Sequence, residues 1–328
     1  MFFVISGFLI TKIIFDQYAE RQFSLINFYL RRTRRIIPLV CAVDIVVLTV
    51  GMIVMLPNDL EKLAQSIIAT NLFSNNILQL ITTGNYWDVI NEYKPMMHTW
   101  SLGLEEQYYL FYPLIFLPLG RGHVKILLSF IGVMTVISLA LCFLGFPERT
   151  VFYLLPFRFY ELSLGGIAAV LLGERVIKHR FTLLQLLLLI LLLTTNTHTL
   201  SAHVKSLITV VLTLFVLVSN NKSDKVVTAM LENRLMDSIG LISFSLYMWH
   251  QAVLSFARYF MFEHIGPWQI LLLIVSIIGI SILSYYLVEQ PFRDKKKIRT
   301  RTLLIFVLTA FLVTNAVSFL IYKKAGVI

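Results

Sequence analysis

Apolar runs about as long as a bilayer's hydrocarbon core is thick recur from one end of this chain to the other. No other feature restricts its fold as much. A helix needs about 20 predominantly apolar residues to cross that core, and in lipid only helices and closed barrels satisfy their own backbone. Barrel strands alternate apolar and polar residues over about ten positions; the run 183–193 does not alternate. Composition agrees, with 58% hydrophobic and 14% charged residues, against about 45–50% and about 25% in soluble domains. The expected fold is all-α: a polytopic transmembrane helix bundle of about ten spans. They are read at 1–15, 36–56, 98–119, 124–146, 151–172, 183–197, 204–220, 238–260, 268–290 and 302–322.

Charge orients these spans. Segment 64–81 is apolar but carries Asn71, Asn75, Asn76 and Gln79, so it is read as interfacial or re-entrant. With that reading, twenty of the 28 Lys and Arg fall on one side, among them Arg31–Arg35, Lys222, Arg234 and the run Arg293–Arg301. Seven fall on the other: Lys62, Lys94, Arg149, Lys205, Arg258, Lys323 and Lys324. Basic residues gather in cytoplasmic loops, so the richer side is expected to be cytoplasmic. If 64–81 crossed, every later loop would change sides and the bias would vanish. This asymmetry accounts for the net charge of +10 without a nucleic-acid partner.

Cys41 and Cys142 sit inside apolar runs and read as packing residues, with no disulfide framework or zinc pattern. Lys12 follows the first apolar stretch instead of preceding it, so no secretory signal peptide is expected. There is no Walker A loop, dinucleotide fingerprint, His-Glu-x-x-His or nucleophile elbow. No metal and no resident cofactor are expected. The first span offers fifteen residues with no interfacial flank, which suggests a helix entered part-way.

Ionisable groups within spans are costly and are functional candidates by default. His98, Ser101, Glu105, Tyr108 or Tyr109, and Tyr112 follow at helical spacing and form one polar stripe. It is either an interhelical hydrogen-bond seam or the wall of a substrate cavity; the adjacent carboxylates Glu105 and Glu106 favour the cavity. Arg31–Arg35 is either an anchor on anionic lipid or a phosphate site, since guanidinium forks match phosphate oxygens. Arg32 and Arg35, three apart, share a helix face. Arg158 and Glu161 are spaced to pair, a pairing that can be purely structural. His250, in Tyr247-Met-Trp249-His250-Gln251, bonds a neighbouring helix or takes part in chemistry. Glu289 caps its helix, pairs with Arg293, or touches substrate. Asp44, deep in its span, suggests no specific role.

Taken in order, Phe2-Phe-Val-Ile-Ser-Gly7-Phe-Leu-Ile-Thr11, Arg32-x-x-Arg35-Ile36-x-Pro38, His98-Thr-Trp-Ser-Leu-x-x-Glu105-Glu106-Gln-Tyr-Tyr109, Arg158-Phe-x-Glu161-Leu-x-x-Gly165, Ser245-Leu-Tyr-x-Trp249-His250 and Glu289-x-Pro291-Phe292 resemble the membrane acyltransferase-3 family. The family comprises O-acyltransferases of bacterial surface polysaccharides. The resemblance covers nearly the whole chain. It implies a multi-pass protein of the bacterial inner membrane that takes an acyl group, acetyl foremost, from cytoplasmic acetyl-CoA. That group goes to a hydroxyl of a surface glycan such as lipopolysaccharide O-antigen. The partners implied are acyl-CoA, the glycan acceptor and membrane lipid.

The resemblance also implies a helix ahead of Phe2 bearing Arg or Lys and, eleven residues on, a His, and in some members a C-terminal SGNH-type domain. The chain reads as lacking both, so little activity is expected from it alone. Residues 1–295 are then the acyltransferase domain, and 296–328 a basic loop with one extra helix. Within this reading His98, Glu105 and Glu289 are candidate catalytic residues. Arg32, Arg35, Ser101, Glu106, Arg158, Glu161 and His250 are candidate substrate contacts. The alternatives are a non-catalytic remnant of such an enzyme, or a glycan transporter or flippase. Transporters often carry inverted repeats and paired broken helices, and neither is visible in this sequence.

Overall fold

The computed structural model describes residues 1–83, 91–117, 124–172, 190, 202–218, 229, 232–261 and 266–327. Among them every regular element is helical and no strand occurs. Among the described residues six helices are long and apolar enough to cross a membrane: Phe2–Ala19, Leu25–Val54, Val124–Leu141, Arg234–Phe260, Pro267–Arg293 and Thr300–Lys323. The all-α membrane class therefore holds. The other four expected spans are absent from that set for separate reasons. Expected span 183–197 lies outside the described residues, Ile190 apart. At 98–119 the α-helix stops at Phe111 and continues as a 3-10 turn over Tyr112–Phe116. Pro113 there lacks an N–H and crowds the carbonyl four residues back. At 151–172 the chain breaks at Leu154 between Glu148–Tyr153 and Leu155–Leu172, just ahead of Pro156. Helix Ala202–Val218 has 17 residues and is the shortest apolar candidate.

The chain divides into two compact units, with boundaries after Phe23, Leu104 and Ser238. The first unit holds Met1–Phe23 and Glu105–Ser238. Its helices are α1 (Phe2–Ala19), the later part of α5 (Thr99–Phe111), α6 (Val124–Leu141), α7 (Glu148–Tyr153), α8 (Leu155–Leu172) and α9 (Ala202–Val218). Helices α1 and α8 meet backbone to backbone. A Cβ at Gly7 would stand 1.9 Å from the Leu162 carbonyl oxygen, and one at Gly165 2.1 Å from that of Val4. Small residues permit this approach, which gains dispersion contact where lipid supplies no hydrophobic drive. Thr11 Oγ1 bonds Tyr112 Oη at 2.8 Å, and Ser6 bonds Tyr109. Thr135 and Ser163 hydroxyls join α6 to α8 at 2.7 Å.

The second unit holds Ser24–Leu104 and Ile239–Ile328. Its axis is α2 (Leu25–Val54), capped by Ser24, whose hydroxyl accepts from the Asn27 N–H at 3.4 Å. Around it stand α3 (Pro57–Asn71), α4 (Asn75–Thr82), α10 (Arg234–Phe260), α11 (Pro267–Ser284) and α12 (Thr300–Lys323). Val40, Val43, Val47, Ile67, Met96 and Met248 form part of its apolar core.

Segment 64–81 does not form a single span. It falls across α3 and α4, of 15 and 8 residues, joined by a turn with Phe73 at φ 52°. Its amides are buried and bonded inward. Asn71 Nδ2 donates to Thr314 Oγ1 at 3.1 Å, and Asn75 Nδ2 to the Met96 carbonyl at 2.8 Å and Thr99 Oγ1 at 2.6 Å. The polar residues that argued against a span are the ones that tie these helices to the rest of the unit.

Candidate functional site

At one end of α2 the arginine cluster lies inside the helix and not in the loop where charge counting put it. The four guanidinium groups differ in environment. Arg34 is 2% exposed. Its Nη1 donates to the carbonyls of Phe292 at 3.0 Å and Ile298 at 2.8 Å, and Nη2 to Thr300 Oγ1 at 3.0 Å. It fastens the basic loop 294–299 to α2. Arg32 is half-buried and Arg35 exposed. Sequence reasoning singled out those two and passed over Arg34 as a separate case. A signal was available: Arg34, Ile37, Cys41, Asp44 and Leu48 follow at spacings of three and four, and all are buried. Arg34→Ala leaves three acceptors without their donor, a loss of about 2–4 kcal/mol. Its expected signature is a lower unfolding temperature in detergent and faster tryptic cleavage at Lys295–Lys297. Unchanged cleavage and melting would remove the anchoring role.

Glu289 faces the same end. It closes a π-helical turn over Tyr285–Glu289, a distortion common at functional sites, and is 3% exposed. Ser245 Oγ donates to its Oε2 at 3.0 Å and Arg293 Nη1 to its Oε1 at 3.3 Å. The charge of Arg35 also acts on it. Of the three roles open in the sequence, pairing with Arg293 is present.

Further along α10, the structure brings His98 and Ser101 against the distant segment that carries His250. The His98 and His250 rings meet edge to face at 5.3 Å, and His98 and Tyr247 at 5.0 Å. Tyr247 Oη donates to the His98 carbonyl at 2.5 Å and lies 2.9 Å from Ser101 Oγ. His250 Nδ1 is 2.7 Å from the Tyr247 carbonyl. A nitrogen facing a carbonyl must carry the proton, so neutral His250 presents Nε2 as its basic atom. His98 is 8% exposed, and neither of its ring nitrogens makes a hydrogen bond of good geometry, though backbone groups of Pro95 and Met248 lie nearby. Tyr247 organises this cluster and was not among the predicted site residues. Its i,i+3 spacing from His250 was the available signal.

The remaining candidates belong to the first unit. Arg158 Nη1 pairs with Glu161 Oε1 at 2.5 Å. Ser206 Oγ donates to the same oxygen at 2.7 Å, and Arg158 lies 5.0 Å over the Phe152 ring. This network ties α8 to α9 and has the form of a structural anchor. Glu105 is buried and Glu106 half-buried in α5. Tyr108 and Tyr112 stack at 4.4 Å. Of the expected α5 stripe, Ser101 is bonded within the second unit and Tyr109 and Tyr112 within the first. Among the described residues no cluster of three or more His, Cys, Asp or Glu could hold a metal.

Comparison with known proteins gives a family assignment. The sequence profile of an acyltransferase domain matches residues 1–286. A Staphylococcus aureus (strain COL) relative is 29% identical over 319 residues, covering 90% of this chain and 52% of its own length. The O-acetyltransferase OatA of S. aureus (strain NCTC 8325) is 27% identical over 314 residues, with the same coverage. An uncharacterized Haemophilus influenzae protein (strain Rd) is 35% identical over 179 residues, covering 52% of this chain and 73% of its own. The chain thus spans about half the length of the staphylococcal relatives it matches. No solved structure is significantly similar.

Proposed function

This chain belongs to the acyltransferase-3 family, and on that premise we propose that it moves an acyl group, acetyl foremost, from acyl-CoA to a hydroxyl of a bacterial surface glycan. The observation that carries this reading is the cluster of buried His98 with half-buried His250, Tyr247 and Ser101. Acyl transfer to a hydroxyl needs a general base with a pKa near neutrality, and imidazole is the usual choice. In this scheme His250 Nε2, with the His98 ring packed beside it, takes the proton of the acceptor hydroxyl. The freed oxygen attacks the thioester carbonyl, and the intermediate collapses to ester and CoA thiolate. The Ser101 hydroxyl, turned away from Tyr247, supplies the hydrogen bond to the transient oxyanion.

Arg32 and Arg35 hold the donor's phosphates at the cytoplasmic end. Glu289 positions that basic group. Arg158 and Glu161 hold their own unit in shape. Ser245, which bonds Glu289, and His250 are five residues apart on α10, about 8 Å at the helical rise. A pantetheine arm held at the arginines is proposed to run along this stretch of α10 toward the imidazoles. The bundle has about ten spans in the bacterial inner membrane. Residues 1–295 form the transferase domain, and 296–328 its basic loop and added helix.

The test is the ester-linked acetate on surface glycan purified from a host deleted for its own acyltransferases. Expression of this chain is expected to raise that acetate, though only weakly when it acts alone. Arg32→Ala with Arg35→Ala is expected to lower it at least tenfold at equal membrane abundance. Glycan that accumulates outside the cell unesterified would sink the transferase reading in favour of a permease.

A further inference from the structure

We propose that a cavity in the second unit, lined by α3, α4 and the segment 93–96, is the acceptor subsite and takes a neutral, hydroxyl-rich sugar unit of the glycan. The proposal rests on the acyl-transfer reading above. The cavity measures ≈ 500 Å³, within the range of about 300–1,000 Å³ typical of small-ligand sites.

Its place is the first argument. Met55 lines it, just past the end of α2, and Arg34 anchors the opposite end. Those positions lie about 30 Å apart at the helical rise, close to the thickness of a hydrocarbon core. The cavity end is also where Tyr259 Oη donates to Asp59 at 2.8 Å and Arg258 pairs with Glu92 at 3.1 Å. An acceptor that arrives from outside meets this end, whereas the donor meets the arginines.

Its lining is the second. Asp59 and Glu61 oppose Lys62 and Lys94 in sign, so neither a phosphate nor a free cation is selected. Gln65, Gln79 and Tyr93 add groups that donate and accept beside the apolar wall of Leu63, Leu78 and Met96. A sugar ring offers the same combination, an apolar face with hydroxyls that donate and accept. An acyl tail would bury these amides and charges against an apolar chain, which costs free energy. Gln79 is 1% exposed and is set in place by long bonds at both ends of its amide, to Asn75 at 3.3 Å and Thr83 at 3.4 Å.

Its connection to the imidazoles is the third. The wall segment 93–96 runs on within two residues to His98. Gln251, next to His250, donates to the Lys94 carbonyl at 3.2 Å. A hydroxyl of a sugar seated in the cavity is thereby directed toward the imidazole that would deprotonate it.

The experiment uses the full chain in nanodiscs. The probe is oligosaccharide cut from the host's surface glycan and stripped of esters with mild alkali. Glu61→Gln, Gln65→Leu and Gln79→Leu are compared with the parent by saturation-transfer NMR and by acetyl-transfer kinetics. Gln65 and Glu61 are half-exposed on α3, so at least two variants keep the fold. The expected result is a tenfold or greater loss of oligosaccharide binding, a matching rise in acceptor KM, and kcat and CoA binding within twofold of the parent. Unchanged oligosaccharide binding in all three variants would overturn the proposal, even with acetyl transfer intact. Binding that is lost in the variants when no acetyl transfer is detected supports the sugar site while removing the transferase reading.

Discussion

Alanine at His250 is expected to lower acetyl transfer by about 10²–10³-fold, the usual contribution of a positioned general base. The reason lies in the tautomer. His250 Nδ1 faces the Tyr247 carbonyl at 2.7 Å, which places the lone pair on Nε2. The adjoining His98 ring, at 5.3 Å, closes one side of the cluster. His98→Ala is expected to lose a similar factor because it opens that packing and removes the second imidazole. His250→Asn separates the roles: its amide N–H can still reach the Tyr247 carbonyl, but it has no basic nitrogen. Equal loss in the Asn and Ala variants, at parental membrane abundance and melting temperature, would assign the effect to the base. Transfer within threefold of the parent in His250→Asn would take this ring out of the chemistry.

Gly165→Ala should be among the most disruptive single methyls in the first unit. The new Cβ would stand 2.1 Å from the Val4 carbonyl oxygen and 2.9 Å from the Phe8 backbone nitrogen. Both are backbone atoms, so no side chain can swing clear and α1 must move off α8. Overpacking of this kind costs about 1–3 kcal/mol, here at the upper end. Gly7→Ala meets the Leu162 backbone in the same way. Gly132→Ala is the control, because nothing lies within 4 Å of its Cβ and alanine is the better helix former. Unfolding in detergent should show the first two variants destabilised and the third unchanged or slightly stabilised. A Gly165→Ala protein as stable as Gly132→Ala would mean that α1 and α8 do not meet as closely as described.

The legible and illegible parts of this protein divide along physical lines. Arg158 and Glu161 were readable as a pair because three residues on a helix place them side by side. The refusal of 64–81 to span was readable because Asn71, Asn75, Asn76 and Gln79 are costly in lipid wherever the chain runs. The interruptions at Pro113 and Pro156 also have local causes, yet hydropathy alone smoothed them into continuous spans. The choice among the four arginines was less accessible. Arg34 differs from Arg32 and Arg35 through acceptors 258 to 266 residues away, and charge counting treats all of them alike. Gly7 and Gly165 stood out in the sequence only as members of a resemblance; their contact with opposing backbone supplies the mechanical reason.

By itself the sequence determined the solvent this chain folds in, its helical class and the sidedness its charges favour. These follow from summed transfer free energies that each residue contributes almost independently of its neighbours. Tertiary structure alone decided that His98 meets His250, that Tyr247 reaches back 149 residues to the His98 carbonyl, and which arginine is an anchor. Those are pairwise contacts between distant segments, and no local pattern in the chain encodes the distance between two helices.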